Sequence, residues 1–177
     1  LYAFDAPSHG FSSKGETSLF EFTDLVKELI LRYGVRDLLS HSFGGVATTY
    51  ALSQLPSVEI DRYLLLTTPD RFTERIDDVA QAVGISQRVK DLLKNRLAEE
   101  TGYDLATLNV SDFVKQIKVR QALIIHDEAD KVIPIMRSLN VANNWPAAEF
   151  ETVRGTGHFR ILRDASVIEK VVAFFAE

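Results

Sequence analysis

The sequence has 177 residues, 46% of them hydrophobic and 25% charged, which is enough for one globular domain with its own core. A net charge of −5 argues against a nucleic-acid-binding surface, because such surfaces rely on clustered Lys and Arg side chains. The absence of cysteine excludes disulfides, thiolate zinc sites and cysteine nucleophiles. No apolar run approaches the ~18 residues that a membrane-spanning helix needs, so we expect a soluble protein.

Strand-like and helix-like patterns alternate along most of the chain. Short apolar runs predict buried strands at 1–4, 35–39, 62–67, 121–125 and 148–153. Apolar residues at helical spacing predict helices at 17–31, 43–55, 134–143 and 166–175. This alternation predicts an α/β fold with a mostly parallel sheet that is covered by helices on both faces.

The alternation stops between residues 70 and 113, where charged helical patterns contain no strand-like run. We therefore divide the chain into a core, 1–69 and 114–177, and a helical insertion, 70–113. Two amphipathic faces are predicted within the insertion. The first consists of Phe72, Ile76, Val79 and Val83, and the second of Val89, Leu92, Leu93, Arg96 and Leu97.

The most informative motif surrounds Ser42, which lies where the predicted strand at 35–39 turns into the next helix. Such a turn is so tight that the residues two positions before and after the serine must be small, giving the pattern G-x-S-x-G. Here the two small residues are Ser40 and Gly44. The pattern predicts a nucleophile elbow with Ser42 at its tip, or, on its own, a glycine-rich helix start that only packs.

The chain resembles the α/β-hydrolase superfamily of serine hydrolases with a helical lid, in which the catalytic order is serine, acid, histidine. Asp130 matches the acid, in the segment 126–134 after an apolar strand, and His158 matches the base, in the segment 155–159. Upstream, residues 4–12 resemble the segment D-x-P-G-H-G-x-S that follows the fourth strand of the family, with Ser8 in place of a glycine. The resemblance implies that the helical insertion caps the active site, although a solvated helical pair is the alternative.

Other residues near these motifs have competing interpretations. Asp127 and Glu128 are alternative acids if the loop is shifted, whereas His126 is expected to end the strand. The resemblance implies that His41 packs behind the elbow and that His9 shapes a loop near the pocket.

Asp5 is expected to accept hydrogen bonds from loop amides, as turn carboxylates do. We expect no metal site, because the histidines lack ligand spacing and no cysteine is present.

A serine hydroxyl needs a neighbouring base to become nucleophilic. The resemblance implies that Ser42 attacks the substrate, that His158 acts as base and then acid, and that Asp130 orients the imidazole. The backbone N–H of Phe43 would donate to the oxyanion. A second donor in this family comes from the loop after the third strand, whereas Leu1 falls within what the resemblance identifies as the fourth. Three interpretations of this start remain open: the sequence is a fragment, an incompletely recorded chain or a shortened homologue.

The sequence thus predicts a hydrolase that acts on small-molecule carboxylic esters or related acyl substrates without a cofactor, and we expect it in the cytoplasm. Serine rather than aspartate at the elbow argues against the dehalogenase branch of the family. A non-catalytic hydrolase-like domain that binds a small ligand or a protein is the alternative. The oligomeric state is open.

Overall fold

A computed structural model describes residues 1–15, 17–101 and 104–176. In this part of the chain four parallel strands form one sheet, and their order across the sheet follows the sequence. The strands are β1 (Asp37–His41), β2 (Glu59–Leu66), β3 (Lys118–Asp127) and β4 (Ala148–Val153). Because parallel neighbours need a crossover connection, helices separate consecutive strands.

Helices precede, connect and follow the four strands. The core helices are α1 (Leu19–Tyr33), α2 (Phe43–Ser53), α6 (Ile135–Asn143), α7 (Gly157–Arg160) and α8 (Ala165–Ala176). The helices between β2 and β3 are α3 (Phe72–Ala82), α4 (Gln87–Thr101) and α5 (Val110–Phe113). Two 3₁₀ turns, Leu105–Thr107 and Ile161–Arg163, complete the described elements. None of the described helices combines the length and apolarity that crossing a membrane would require.

Sequence signals set both ends of α1. The Ser18 side chain accepts a hydrogen bond from the Glu21 N–H at 3.2 Å and so caps the first turn. Gly34 ends the helix in the left-handed conformation, with φ of 58°. The Val35 N–H also bonds back to the Ile30 carbonyl, so β1 begins two residues later than predicted.

The two faces of the sheet contribute to separate apolar clusters, because successive side chains of a strand point in opposite directions. Tyr63, Leu65 and Ile124 pack with α1, α2 and α6 on one face. Leu64, Leu66 and Ile125 pack with Ile161 and α8 on the other. Helices therefore cover both faces, and the predicted α/β fold with a parallel sheet is confirmed.

The helical insertion leaves the core after β2 and returns to it before β3. Its two ends are joined by an isolated antiparallel bridge between Arg71 and Asn109. The predicted apolar faces are only partly correct: Phe72, Ile76 and Leu97 pack against the core, whereas the other aliphatic residues are exposed. Those exposed residues are Val79, Val83, Val89, Leu92 and Leu93. Ala80, two turns after Phe72, is buried instead, because residues four apart on a helix share a face.

The prediction of a buried strand at residues 1–4 is wrong. These residues lie outside the described sheet, and Leu1, Tyr2 and Phe4 are exposed. Tyr2 stacks on Tyr33 of α1 with ring centroids 4.5 Å apart, while Phe4 contacts Phe22 edge-on at 6.0 Å. An apolar segment becomes a strand only where a partner strand offers backbone hydrogen bonds, and no described strand pairs with residues 1–4.

Candidate active site

Three loops that carry polar side chains meet at the carboxyl edge of the sheet. Ser42 follows β1, Asp130 lies in the loop after β3, and His158 lies in the short helix α7 that follows β4. Because parallel strands end at the same edge, residues far apart in sequence become neighbours there. This edge is also where open α/β sheets bind their ligands.

Ser42 occupies a strained turn between β1 and α2, with φ of 53° and ψ of −125°. A non-glycine residue in such a conformation costs about 1–3 kcal/mol, so surrounding contacts must hold it. The Ser42 N–H donates to the Leu66 carbonyl of β2 at 3.0 Å, and the Ser42 carbonyl accepts from the Gly45 N–H at 2.9 Å. These bonds hold the strained turn in place, and the Ser42 hydroxyl is left free to contact His158.

The glycine that packs closely behind the elbow is Gly45 rather than Gly44. A methyl group added at Gly44 would meet no atom within 4 Å, whereas one at Gly45 would lie 2.8 Å from Thr68 Oγ1. No packing contact therefore requires glycine at position 44. Ser40, the other small residue of the motif, is buried, and its hydroxyl donates to Thr48 Oγ1 at 3.1 Å.

The three candidate catalytic side chains form a continuous hydrogen-bonded chain. His158 Nδ1 lies 2.8 Å from Asp130 Oδ2, and His158 Nε2 lies 2.9 Å from Ser42 Oγ. Because an ionised carboxylate only accepts, the Nδ1–H of His158 donates to Asp130 and leaves Nε2 free to accept the serine hydrogen. A hydroxyl, an imidazole and a carboxylate are thus arranged in the order that proton transfer from Ser42 requires.

Both the acid and the base are buried and held by further hydrogen bonds. Asp130 Oδ1 accepts from the N–H groups of Val132 and Ile133 at 2.7 and 2.9 Å. The His158 carbonyl accepts from His41 Nε2 at 2.8 Å, and the two rings lie 4.8 Å apart. Burial lowers the pKa of His41, which favours its neutral form. His41 therefore supports the backbone of the loop that carries His158.

The alternative acids face other partners than His158. Asp127 accepts hydrogen bonds from Ala129 and Thr156, and Glu128 pairs with Arg154 at the surface. Asp130 is thus the carboxylate that contacts the imidazole.

His126 lies in β3 and is fully buried. Its Nδ1 lies 2.7 Å from Ser138 Oγ, and its Nε2 donates to the Ile133 carbonyl at 3.0 Å. Burial lowers its pKa, and both ring nitrogens join the acid loop to α6 instead of reaching Ser42.

The upstream loop is built around Asp5, as predicted. Its carboxylate accepts from the Phe11 N–H at 2.9 Å, and its carbonyl accepts from the Ser12 hydroxyl. Ser8 stands where the family has glycine and adopts a positive φ of 65°, with its hydroxyl donating to the Gly15 carbonyl. His9 is exposed and contacts the carbonyl of Pro7, which gives it no link to Ser42.

Phe43 opens α2 directly after Ser42. The first N–H groups of a helix have no acceptor within the helix and can therefore bind an anion. The ring of Phe43 is partly exposed, and its centroid lies 6.3 Å from that of the Phe22 ring. Across the described residues, no group of three or more His, Asp or Glu side chains is placed to hold a metal ion.

A parallel sheet covered on both faces, a strained serine after one strand, and an acid and a histidine after two later strands define the α/β-hydrolase fold. The chain has this fold.

Comparison with solved structures agrees with this assignment. MGS-M2, an α/β hydrolase enzyme from a Medee basin deep-sea metagenome library, is 17% identical, with a TM-score of 0.69 over 98% of this chain and 78% of that chain. Est816, described as an N-acyl homoserine lactone degrading enzyme, is 20% identical, with a TM-score of 0.68 over 97% and 80%. Est1E from Butyrivibrio proteoclasticus, solved with ferulic acid bound, is 17% identical, with a TM-score of 0.68 over 98% and 76%.

No family model matches the sequence, and no curated protein is significantly similar to it. At identities of 20% or less, the structural likeness establishes the fold. The reaction has to be argued from the site itself.

Proposed function

We propose that this protein is a serine hydrolase of carboxylic esters or related acyl compounds. The observation that carries the proposal is the hydrogen-bonded chain from Ser42 through His158 to Asp130. All three side chains lie at the sheet edge where α/β folds bind ligands.

In the first half of the reaction, His158 Nε2 removes the hydroxyl hydrogen as Ser42 Oγ attacks the acyl carbon. Asp130 stabilises the imidazolium that forms and keeps Nδ1 protonated throughout. When the tetrahedral intermediate collapses, the bond to the alcohol breaks and His158 donates its proton to that alcohol. The products of this half are the free alcohol and an acyl group bound to Ser42.

In the second half, His158 removes a proton from a water molecule that attacks the acyl-serine. Collapse of the second tetrahedral intermediate releases the carboxylic acid, and the proton returns to Ser42 Oγ through His158.

The backbone N–H of Phe43 is the proposed donor to the oxyanion in both halves, because it is the amide that directly follows the nucleophile. Loss of one such donor costs about 10²–10³ in rate in other enzymes, so this amide is a substantial part of the site.

An open depression of about 450 Å³ lies beside His158, and its lining includes Val132 and Phe159 but not Ser42. The class of substrate is therefore proposed from the hydrogen-bonded chain rather than from this depression. The names of Est816 and Est1E, which refer to acyl lactone degradation and to ferulic acid, support the same broad class of acyl substrate.

The helical insertion, 70–113, is the proposed lid over this site. It enters between β2 and β3, and Arg137 of α6 pairs with Glu74 and Asp78 of α3. Its exposed aliphatic residues give it an apolar surface that could face an acyl chain, as α/β-hydrolase lids do.

Covalent labelling tests the proposed reaction directly. A fluorophosphonate probe reacts with activated serines, so mass spectrometry should find it on Ser42 of the wild-type protein. Ser42→Ala should remove the label and lower turnover by about 10⁴-fold or more. Ser53→Ala, at the opposite end of α2, is the matched control and should retain both.

An unlabelled Ser42 in a protein with an intact fold, judged by circular dichroism, would contradict the proposal. The same would be true of a Ser42→Ala variant that retained turnover. Either result would favour a non-catalytic hydrolase-like domain that binds a small ligand or a protein.

A further inference from the structure

The turn between β4 and α7 that positions His158 has little rigidity of its own. Gly155 and Gly157 adopt positive φ angles of 81° and 62°, and Thr156 lies between them. Glycine backbones have more conformational freedom than any other residue, so such a loop needs an external anchor. Thr156 is buried and contacts the core through Asp127, while the His158 carbonyl contacts it through His41.

That contact is made by the carboxylate of Asp127, which is fully buried at the end of β3. Asp127 Oδ2 accepts from both the Thr156 N–H at 2.6 Å and the Thr156 hydroxyl at 2.9 Å. Its other oxygen, Oδ1, accepts from the Ala129 N–H at 2.8 Å. One side chain therefore holds the residue just before Asp130 and the residue two positions before His158.

The hydrogen bonds also explain how a buried carboxylate remains charged here. Burial opposes ionisation of Asp127, but N–H groups of Gly157 and Ala129, together with Thr156, outweigh it and lower its pKa. An ionised acceptor makes these bonds stronger than neutral ones would be.

Building on the proposed function, we infer that Asp127 is a positioning residue that sets the distance between Asp130 and His158. It is not in the Ser42–His158–Asp130 chain, but it fixes both loops that supply the acid and the base. Misplacement of a catalytic group by about 1 Å can cost about 10²-fold in rate, so a shared anchor of this kind has a direct effect on turnover.

A second link between the same two loops provides a matched control. Glu128, the next residue along, pairs with Arg154 at 2.7 Å, and the Arg154 side chain is 82% exposed. Exposed ion pairs contribute little, so breaking this link should leave the position of His158 unchanged.

The first test compares steady-state hydrolysis of a p-nitrophenyl ester by Asp127→Asn and Glu128→Gln. In the wild-type protein, Ala129 and Thr156 donate to the two carboxylate oxygens of Asp127, and asparagine would place an NH₂ group opposite one of these donors. We therefore expect kcat to fall by about 10²-fold with KM nearly unchanged. Glu128→Gln should keep kcat within about twofold of wild type.

Thr156 variants separate positioning from folding. Thr156→Val keeps the shape and the backbone N–H but removes the hydroxyl that Asp127 accepts, so kcat should fall by a smaller factor than in Asp127→Asn. Thr156→Ser keeps the hydroxyl and should restore most of the rate.

The second readout does not depend on hydrolysis. The hydrogen shared by His158 Nδ1 and Asp130 should give a far-downfield proton NMR signal in wild type and in Glu128→Gln. The signal should shift or broaden in Asp127→Asn and Thr156→Val and return in Thr156→Ser.

An unchanged signal and unchanged kcat in a folded Asp127→Asn protein would overturn the inference. The inference would also be overturned if the loss of kcat and of NMR signal in Asp127→Asn were no larger than the fraction of that protein that is unfolded. If Asp127→Asn does not fold, the inference would be overturned by Thr156→Val and Thr156→Ser having the same kcat and the same NMR signal. Failure of the probe to label wild-type Ser42 would instead overturn the proposed function, while the NMR signal would still report on Asp127.

Discussion

The loops at the carboxyl edge of the sheet and the helical insertion are built in opposite ways. In the loops, Asp127, Asp130 and His158 are buried, and each has its polar atoms in hydrogen bonds. In the insertion, Leu92 is 60% exposed and Val83 66%, and the ion pair from Lys94 to Asp77 lies near the surface. Buried and hydrogen-bonded side chains are thus concentrated at the candidate active site, whereas the insertion leaves aliphatic side chains exposed.

Backbone hydrogen bonds join the two ends of the insertion to each other. The Phe72 N–H donates to the Leu108 carbonyl, and the Val110 N–H donates to the Asp70 carbonyl. The buried Asp70 carboxylate also accepts from the Ser111 N–H at 2.9 Å. The carboxyl end of the insertion is packed into the core, where Leu108 and Val110 are buried, whereas α4 carries exposed Leu92 and Leu93. Local opening without unfolding of the sheet is therefore expected in the α3–α4 part of the insertion.

The largest expected effect concerns charge in the two regions. Asp130→Asn should lower kcat by about 10⁴-fold, because an amide cannot stabilise the His158 imidazolium and favours the wrong tautomer. Asp77→Asn removes a carboxylate of the insertion that Lys94 contacts at 2.8 Å, and should keep kcat within about twofold. Steady-state kinetics on both variants checks this, and similar losses in the two would remove the distinction between the regions.

The second comparison concerns packing. Leu64 is fully buried among Ile161 and Val167, so Leu64→Ala should lower the free energy of unfolding by about 2–5 kcal/mol. Leu92→Ala in the insertion should change it by less than about 0.5 kcal/mol. Urea unfolding followed by circular dichroism measures both values. A loss above about 2 kcal/mol at Leu92 would mean that the insertion is packed as firmly as the core.

The sequence predicted the architecture and the neighbourhood of Ser42, Asp130 and His158, because each lies directly after an apolar run in an alternating pattern. Parallel pairing then requires that these loops end at one edge. The roles of the three residues remain proposals, whereas their proximity follows from topology.

The starts of the inner strands were harder to predict. β2 begins at Glu59 and β3 at Lys118, three residues before the apolar runs on which the predictions rest. These first residues are charged, and Glu59 and Lys118 pair across the two strands at 3.8 Å. Such cross-strand partners are invisible to a pattern that counts apolar residues along one strand.

The contact between Asp127 and Thr156 could not be predicted from the sequence for a similar reason. Asp127 was considered as an alternative acid because of its place in the loop, but its partner Thr156 lies 29 residues away. Only the folded arrangement brings these two residues together, so no local pattern could assign the contact.

The third comparison concerns the two glycines at the elbow. Gly45→Ala should lower the free energy of unfolding by about 1–3 kcal/mol, because the new methyl group would overlap Thr68 and Leu65. Gly44→Ala has open space and should change it by less than about 1 kcal/mol, in the stabilising direction, since alanine favours helix. Thermal or urea unfolding ranks the two variants. The reverse order would place the close packing at Gly44, as the motif had suggested.

The smallest expected effect tests whether the insertion moves as a lid. Arg137 of α6 contacts both Glu74 and Asp78 of α3, so Arg137→Gln removes a link between core and insertion. Such a partly exposed pair contributes about 1 kcal/mol or less to global stability, so urea unfolding should change little. Local opening should nevertheless increase, and limited chymotrypsin digestion should cut the insertion faster.

Arg32→Gln, which breaks an exposed pair with Glu28 on α1, is the control and should leave digestion unchanged. Because the core would stay intact while the insertion became accessible, faster cutting confined to 70–113 would identify Arg137 as a latch, and equal cutting of both variants would contradict the lid.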